Sequence, residues 1–290
     1  MAEGMTDTAT RKILFFFAAA LATAGLAAAE GVAVRPASLY EATFRARVVS
    51  GPTLEEFPQL EDLVPITVSH YNNTKVRFAG FNWQFREAKG GKAVPRPHRS
   101  AAMTMLYHRG WRDVTLRFWT PENATWFDVS AGPGVEVAGL SLREVEPSET
   151  LNVNPRFDMS DEYVPGWQLL SGAHLGRDRR GVAYVNTEEG AVASDLFPVE
   201  PGTCVKVALR GIPPRFVHGW TRLSASIYFF GAFADAGGKE PYSGRAATKV
   251  SVGKDREGSQ TFAVPAGKRW ARIQVSGGIA YECSATRADK

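Results

Sequence analysis

The residues best suited to chemistry in this sequence lie on two aromatic-bearing segments with strand-like alternation. In 220–230, alternation puts Trp220, Arg222, Ser224, Ser226, Tyr228 and Phe230 on one face and Thr221, Leu223, Ala225, Ile227 and Phe229 on the other. The second set is apolar and reads as core. The first is the kind of row that stacks flat rings on a pyranose and bonds its hydroxyls. At an offset of 147 positions the earlier row is Asn73, Lys75, Arg77, Ala79, Phe81 and Trp83, with Val76, Phe78 and Gly80 on the opposite, core-like face. Trp220, Arg222, Tyr228, Phe230, Arg77, Phe81 and Trp83 are therefore the candidate ligand-binding residues. The same rows would serve equally as packing between domains, as a protein interface, or as plain surface.

Catalytic constellations are not visible. There is no His-Glu-x-x-His, no Gly-x-Ser-x-Gly, no phosphate loop and no dinucleotide fingerprint. His70, His98, His108, His174 and His218 are scattered, with no pair at metal-ligand spacing, so no metal site is assigned. A glycosidase needs two carboxylates ~5–10 Å apart. Asp158, Asp161 and Glu162 are candidates whose separation a sequence does not reveal, and Asp161-Glu162 reads as a solvated loop. Tyr228 with Arg222 has the composition of a lyase pair, a minor alternative. The expectation is a chain that is not an enzyme.

The N-terminus points outward from the cell. Arg11-Lys12 precede an apolar stretch from Ile13 to about Ala27, closed by Ala27-Ala28-Ala29 before Glu30. That run is shorter than the ~20 residues a spanning helix needs, and its small-x-small end fits a cleaved signal peptide over 1–29. Secretion or a periplasmic location is expected, with no membrane contact after cleavage. The net charge of +4 is spread along the chain without a basic cluster, which argues against nucleic acid. The two cysteines, Cys204 and Cys283, would meet oxidising conditions, and a disulfide between them is expected, with free buried thiols as the alternative. Such a bridge would contribute roughly 4–5 kcal/mol in the chain-entropy model.

Beyond residue 29 the pattern is all-β. Short segments rich in Val, Ile, Thr, Phe, Tyr and Trp are separated by Gly, Pro, Asn and Asp. Clear examples are 40–49, 114–119, 135–144, 203–210, 271–275 and 280–286. An internal repeat runs through them: Phe81-Asn82-Trp83 before Gly90-Gly91-Lys92 matches Tyr228-Phe229-Phe230 before Gly237-Gly238-Lys239, and Trp126 matches Trp270. The offsets drift between 144 and 147. Two copies of one sandwich domain are expected, at 30–147 and 150–290, joined by a short linker, with Trp126 and Trp270 in the cores.

Asn154-Pro155-Arg156-Phe157-Asp158, then Pro165-Gly166-Trp167, resembles the opening of carbohydrate-binding modules of the cellulose/xylan-binding jelly-roll type, families four and nine and their galactose-binding-like relatives. Phe197 to Gly202, Thr261 to Gly267 and Val135 to Val145 resemble later elements of that family. The resemblance implies two tandem jelly-roll β-sandwiches and a polysaccharide or oligosaccharide partner held without catalysis. It also implies a structural calcium, for which Asp158 is the matching carboxylate. Gly139 stands where the family has aspartate, and only Glu282 is near Cys283. No other cofactor is expected. The runner-up is a structural or interaction module bound to another envelope protein.

Overall fold

The computed structural model describes residues 30–50, 80–94, 103–105, 108–132, 134–158, 164–170, 172–214, 222–237, 249–252 and 256–288. The expected leader at 1–29 and the candidates Arg77 and Trp220 lie outside them. The described chain is all-β, with one short 3-10 turn at Phe233–Gly237.

Among the described residues seven strands occupy the first half: β1 (Glu30–Ala33), β2 (Leu39–Val48), β3 (Gly80–Arg86), β4 (Met103–Met105), β5 (Arg112–Trp119), β6 (Trp126–Ala131) and β7 (Val135–Glu144). They form a four-stranded sheet β1-β6-β3-β4 and a three-stranded sheet β5-β2-β7. Period-2 alternation supplies the inner faces. Ala42, Phe44, Ala46 and Val48 of β2 are buried while Thr43 and Arg45 are exposed. The two sheets meet through aromatic rings. Phe44 stands edge-on to Phe81 at 4.9 Å, and Phe118 stacks on Phe127 at 4.5 Å.

Eleven more strands follow among the described residues: β8 (Trp167–Leu169), β9 (His174–Arg177), β10 (Ala183–Asn186), β11 (Ala191–Ser194), β12 (Phe197–Pro198), β13 (Cys204–Ile212), β14 (Ser224–Phe230), β15 (Lys249–Ser251), β16 (Glu257–Ala263), β17 (Trp270–Ser276) and β18 (Ile279–Ala288). One sheet runs β16-β13-β18-β10-β9; the other runs β15-β14-β17-β11-β8, with β12 also on β17. The connectivity of the first half recurs. A central strand takes both neighbours in β5-β2-β7 and again in β16-β13-β18, and β6-β3-β4 corresponds to β17-β14-β15. Even the irregularity recurs, for β2–β7 and β13–β18 each carry one register shift. Gly139 sits at the first of these with φ 74°, a left-handed backbone that glycine adopts without strain. This local demand explains a glycine where the resembled family has aspartate.

The recurrence fixes the register of the repeat. Trp126 pairs with Arg86 on β3, and Trp270 pairs with Phe230 on β14. The strands therefore match at an offset of 144, not 147. The three extra positions before the second Gly-Gly-Lys lie where the 3-10 turn is inserted. An odd slip exchanges the two faces of a strand, which corrects the expectation for the first copy. Phe81 is fully buried, and Trp83 stacks on Phe118 at 5.5 Å. Phe81 belongs to the interior, and Trp83 is half-buried with its ring packed against the core, so Phe81 does not stand in an outer binding row. Leu223, just before β14, and Ala225 and Ile227 within it are core as expected. Trp270 is buried, whereas Trp126 is half-buried with Lys89 Nζ 5.5 Å from its ring.

The expected disulfide is not formed. Cys204 pairs across the β13–β18 ladder with Ala288, and Cys283 pairs with Leu209. The thiols are thus five residues apart along the sheet, about 17 Å at ~3.4 Å per residue, where a bridge needs Cα atoms within ~7 Å. Cys283 is fully buried, and burial pushes its thiol well above the usual range. It stays protonated and unreactive. Reductant should leave the melting temperature unchanged. A thiol reagent should titrate Cys204 in the native protein and Cys283 only after unfolding. Two fast-reacting thiols, or a shift of several degrees on reduction, would contradict this placement.

Candidate functional site

The expected row on β14 is only partly an open face. Tyr228 and Phe230 do share the outer side and are half-buried, and Arg222 is exposed just before the strand. Their neighbours are not accessible: Ser224 and Ser226 are 6% exposed, Arg272 opposite Tyr228 is 3% and Trp270 opposite Phe230 is 2%. Burial raises the Tyr228 phenol above its ordinary value, against a smaller opposing effect from its hydrogen bond with Ser226.

An open face exists elsewhere, on the outer side of the β16-β13-β18-β10-β9 sheet. Alternation on β13 buries Val205, Val207 and Leu209 and turns Lys206, Ala208 and Arg210 outward. The ladder sets Glu257 of β16 on one side of Arg210 and Glu282 of β18 on the other. Arg210 Nη2 lies 3.3 Å from Glu282 Oε2. Ala208, Gly258 and Ser259 are short. Long side chains standing around a short-chained floor leave a groove of ≈ 590 Å³, lined by Lys206, Ala208, Arg210, Glu257, Ser259 and Glu282.

Aromatic rings border this groove. The shift at Arg210/Gly211 leaves Tyr281 as the extra residue of β18. Tyr281 and Glu282 are then both half-exposed between buried Ala280 and Cys283. A β-bulge re-aims side chains in this way. Gly211 permits it, because a Cβ there would come within 2.2 Å of the Ile279 carbonyl. Arg210 Cζ is 6.0 Å from the centre of the Tyr281 ring. Tyr184 of β10 meets Tyr281 at 5.9 Å and 66°. Its ring lies across Gly176 of β9, where a Cβ would be 2.4 Å from the phenol. Two rings, two cations and two carboxylates thus line one shallow surface.

The Asn154–Trp167 opening is structural. Asn154 has φ 54°, its Nδ2 donates to the Asp158 and Pro165 carbonyls, and its Oδ1 accepts from the Asp158 amide. Trp167 Nε1 donates to the Asn154 carbonyl at 2.7 Å. Among the described residues no group of three or more His, Cys, Asp or Glu is placed to hold a metal; the candidates Asp161 and Glu162 lie outside the described residues.

Alternation made the Lys206-Ala208-Arg210 row readable in advance. Its partners come from strands remote in the chain, so the groove was not. No family model matches the chain, and no curated protein sequence matches it. Two solved structures are similar in part. The enzymatically active domain of tailspike protein 4 of bacteriophage CBA120 is 19% identical over 48% of this chain and 22% of that one, at a TM-score of 0.31. The tandem CBM51 modules of the family 98 glycoside hydrolase from Streptococcus pneumoniae are 9% identical over 89% of this chain and 80% of that one, at a TM-score of 0.23.

Proposed function

We propose that this chain is an exported, non-catalytic glycan-binding protein of two sandwich domains, 30–147 and 150–290. Its groove on the second domain takes an uncharged stretch of polysaccharide. The Tyr184–Tyr281 pair beside the groove carries the reading. Flat phenol rings offer stacking area, and their hydroxyls keep a polar edge toward water. Lys206 and Arg210 against Glu257 and Glu282 balance in charge and supply donors and acceptors for vicinal hydroxyls. A sheet face holds these groups with little ordering cost on binding.

Affinity electrophoresis of the full chain in gels carrying xylan, β-glucan or galactomannan tests the reading. The wild type should be retarded by at least one of these. Tyr281→Ala and Arg210→Ala should each weaken retention about tenfold, the equivalent of ~1.4 kcal/mol, with melting temperatures near wild type. Migration unaffected by every neutral glycan, together with a stable oligomer in light scattering, would favour the interaction-module reading. Release of reducing ends that depends on Glu257 or Glu282 would overturn the non-catalytic part.

A further inference from the structure

We propose a second site, on the first half, that takes an acidic saccharide. It lies at the end of the β5-β2-β7 sheet, on its outer face. Arg45 and Arg47 stand two residues apart on β2 and so share that face. Trp111, immediately before β5, places its ring centre 5.3 Å from Arg45 Cζ and 4.8 Å from Arg47 Cζ. The indole is nevertheless 37% exposed, and Val49, two residues beyond Arg47, is 47% exposed. These are two of three large apolar side chains left open among the described residues.

The charges around the ring are unequal. Arg47 is held by Glu136, with Nε 2.7 Å from Oε2. Arg45 has no carboxylate partner among the described residues, although Asp113 stands opposite it in the ladder. Arg112 pairs with buried Ala46 and so belongs to the other face of the sheet. On the shared face Arg45 stands beside Asp113 without an ion pair to it, and Glu136 is committed to Arg47. Cation–π contact fixes the ring against both guanidinium groups before any ligand arrives. An open indole beside a planar fork that no described carboxylate holds matches a sugar ring bearing a carboxylate or sulfate. The ring face lies on Trp111, and the anion takes paired N–H donors from Arg45. In the groove of the second half the arginine is instead ion-paired with Glu282 and no indole is present, so the two sites select different stretches of glycan. Each stands or falls without the other, because their residues and probes differ.

The test uses the full chain on polygalacturonate, dextran sulfate and inorganic polyphosphate. The wild type should bind at least one acidic polysaccharide, with affinity that falls as salt rises. Trp111→Ala and Arg45→Gln should each weaken that binding roughly tenfold. Arg45→Lys should recover only part of it, because an ammonium does not reproduce the planar fork. Tyr281→Ala should leave it unchanged. Preference for polygalacturonate over dextran sulfate identifies carboxylate as the recognised group, and the reverse identifies sulfate. No retention on either polymer, or equal retention by Trp111→Ala, overturns the site. Polyphosphate binding that equals glycan binding also overturns it, since charge alone would then suffice. So does a dimer that Trp111→Ala dissociates, since the face would then be a subunit contact. All substituted residues here are at the surface, and unchanged near-ultraviolet circular dichroism would certify their folds.

Discussion

Phe81→Ala should cost about 3–5 kcal/mol of unfolding free energy, the range for deleting a fully enclosed ring. The side chain is wholly buried, and Phe44 from the facing sheet meets it edge-on at 4.9 Å. Truncation removes apolar area and leaves a cavity between two sheets. Strands tied by ladder bonds on either side have little freedom to close such a cavity, which places the cost toward the upper part of that range. Urea unfolding followed by fluorescence would measure it as a lower midpoint at constant slope. The outcome discriminates between two registers of one strand. Had the 147 offset held, Phe81 would lie on the outside, and its loss would change stability by less than about 0.5 kcal/mol. Trp83→Ala should behave like Phe81→Ala, because its ring stacks on Phe118 and stands edge-on to Phe85 at 5.8 Å.

Asn152→Ala should cost about 2–5 kcal/mol, although the side chain is small and makes no apolar contribution. The residue is 2% exposed. Its Nδ2 donates to the Cys283 carbonyl at 2.9 Å, and its Oδ1 accepts from the Ala285 amide at 2.7 Å. Alanine would leave a buried carbonyl and a buried amide without partners, at roughly 1–3 kcal/mol each. The neighbours depend on the same seam. Leu151 donates to the Ala285 carbonyl, and the Leu151 carbonyl accepts from Trp119 Nε1 at 3.0 Å. Asn152 thus ties the segment between the halves to β18 while Trp119 of β5 reaches it from the other side. Asn152→Asp should rescue nothing at neutral pH, because it keeps the acceptor, loses the donor and buries a charge. Amide exchange at Ala285 should quicken in Asn152→Ala, which removes the acceptor of that amide. A loss below about 1 kcal/mol would mean that water replaces the side chain at both groups.

Several elements were readable before any coordinates. Val135–Glu144 is a strand with the expected bounds, and Ala225 and Ile227 of β14 are buried together with Leu223 just before it. These follow from period-2 alternation, a property of one segment alone. Short strands were missed where they carry little pattern. Ala191–Ser194 is buried at all four positions, and Phe197–Pro198 is two residues long. Neither has a polar face to alternate with.

What this sequence determined by itself was the all-β character, most strand positions and the parity of neighbours within a strand, because those depend on residues adjacent in the chain. The tertiary structure decided which face of β3 turns inward, where the cysteines stand and which rings border the groove. Strand register is a long-range quantity: a slip of one residue, or the bulge that frees Tyr281, reverses a face without altering any local pattern. Tyr184 and Tyr281 meet only because β10 and β18 pair across nearly a hundred residues of chain, and no spacing along the chain encodes that meeting.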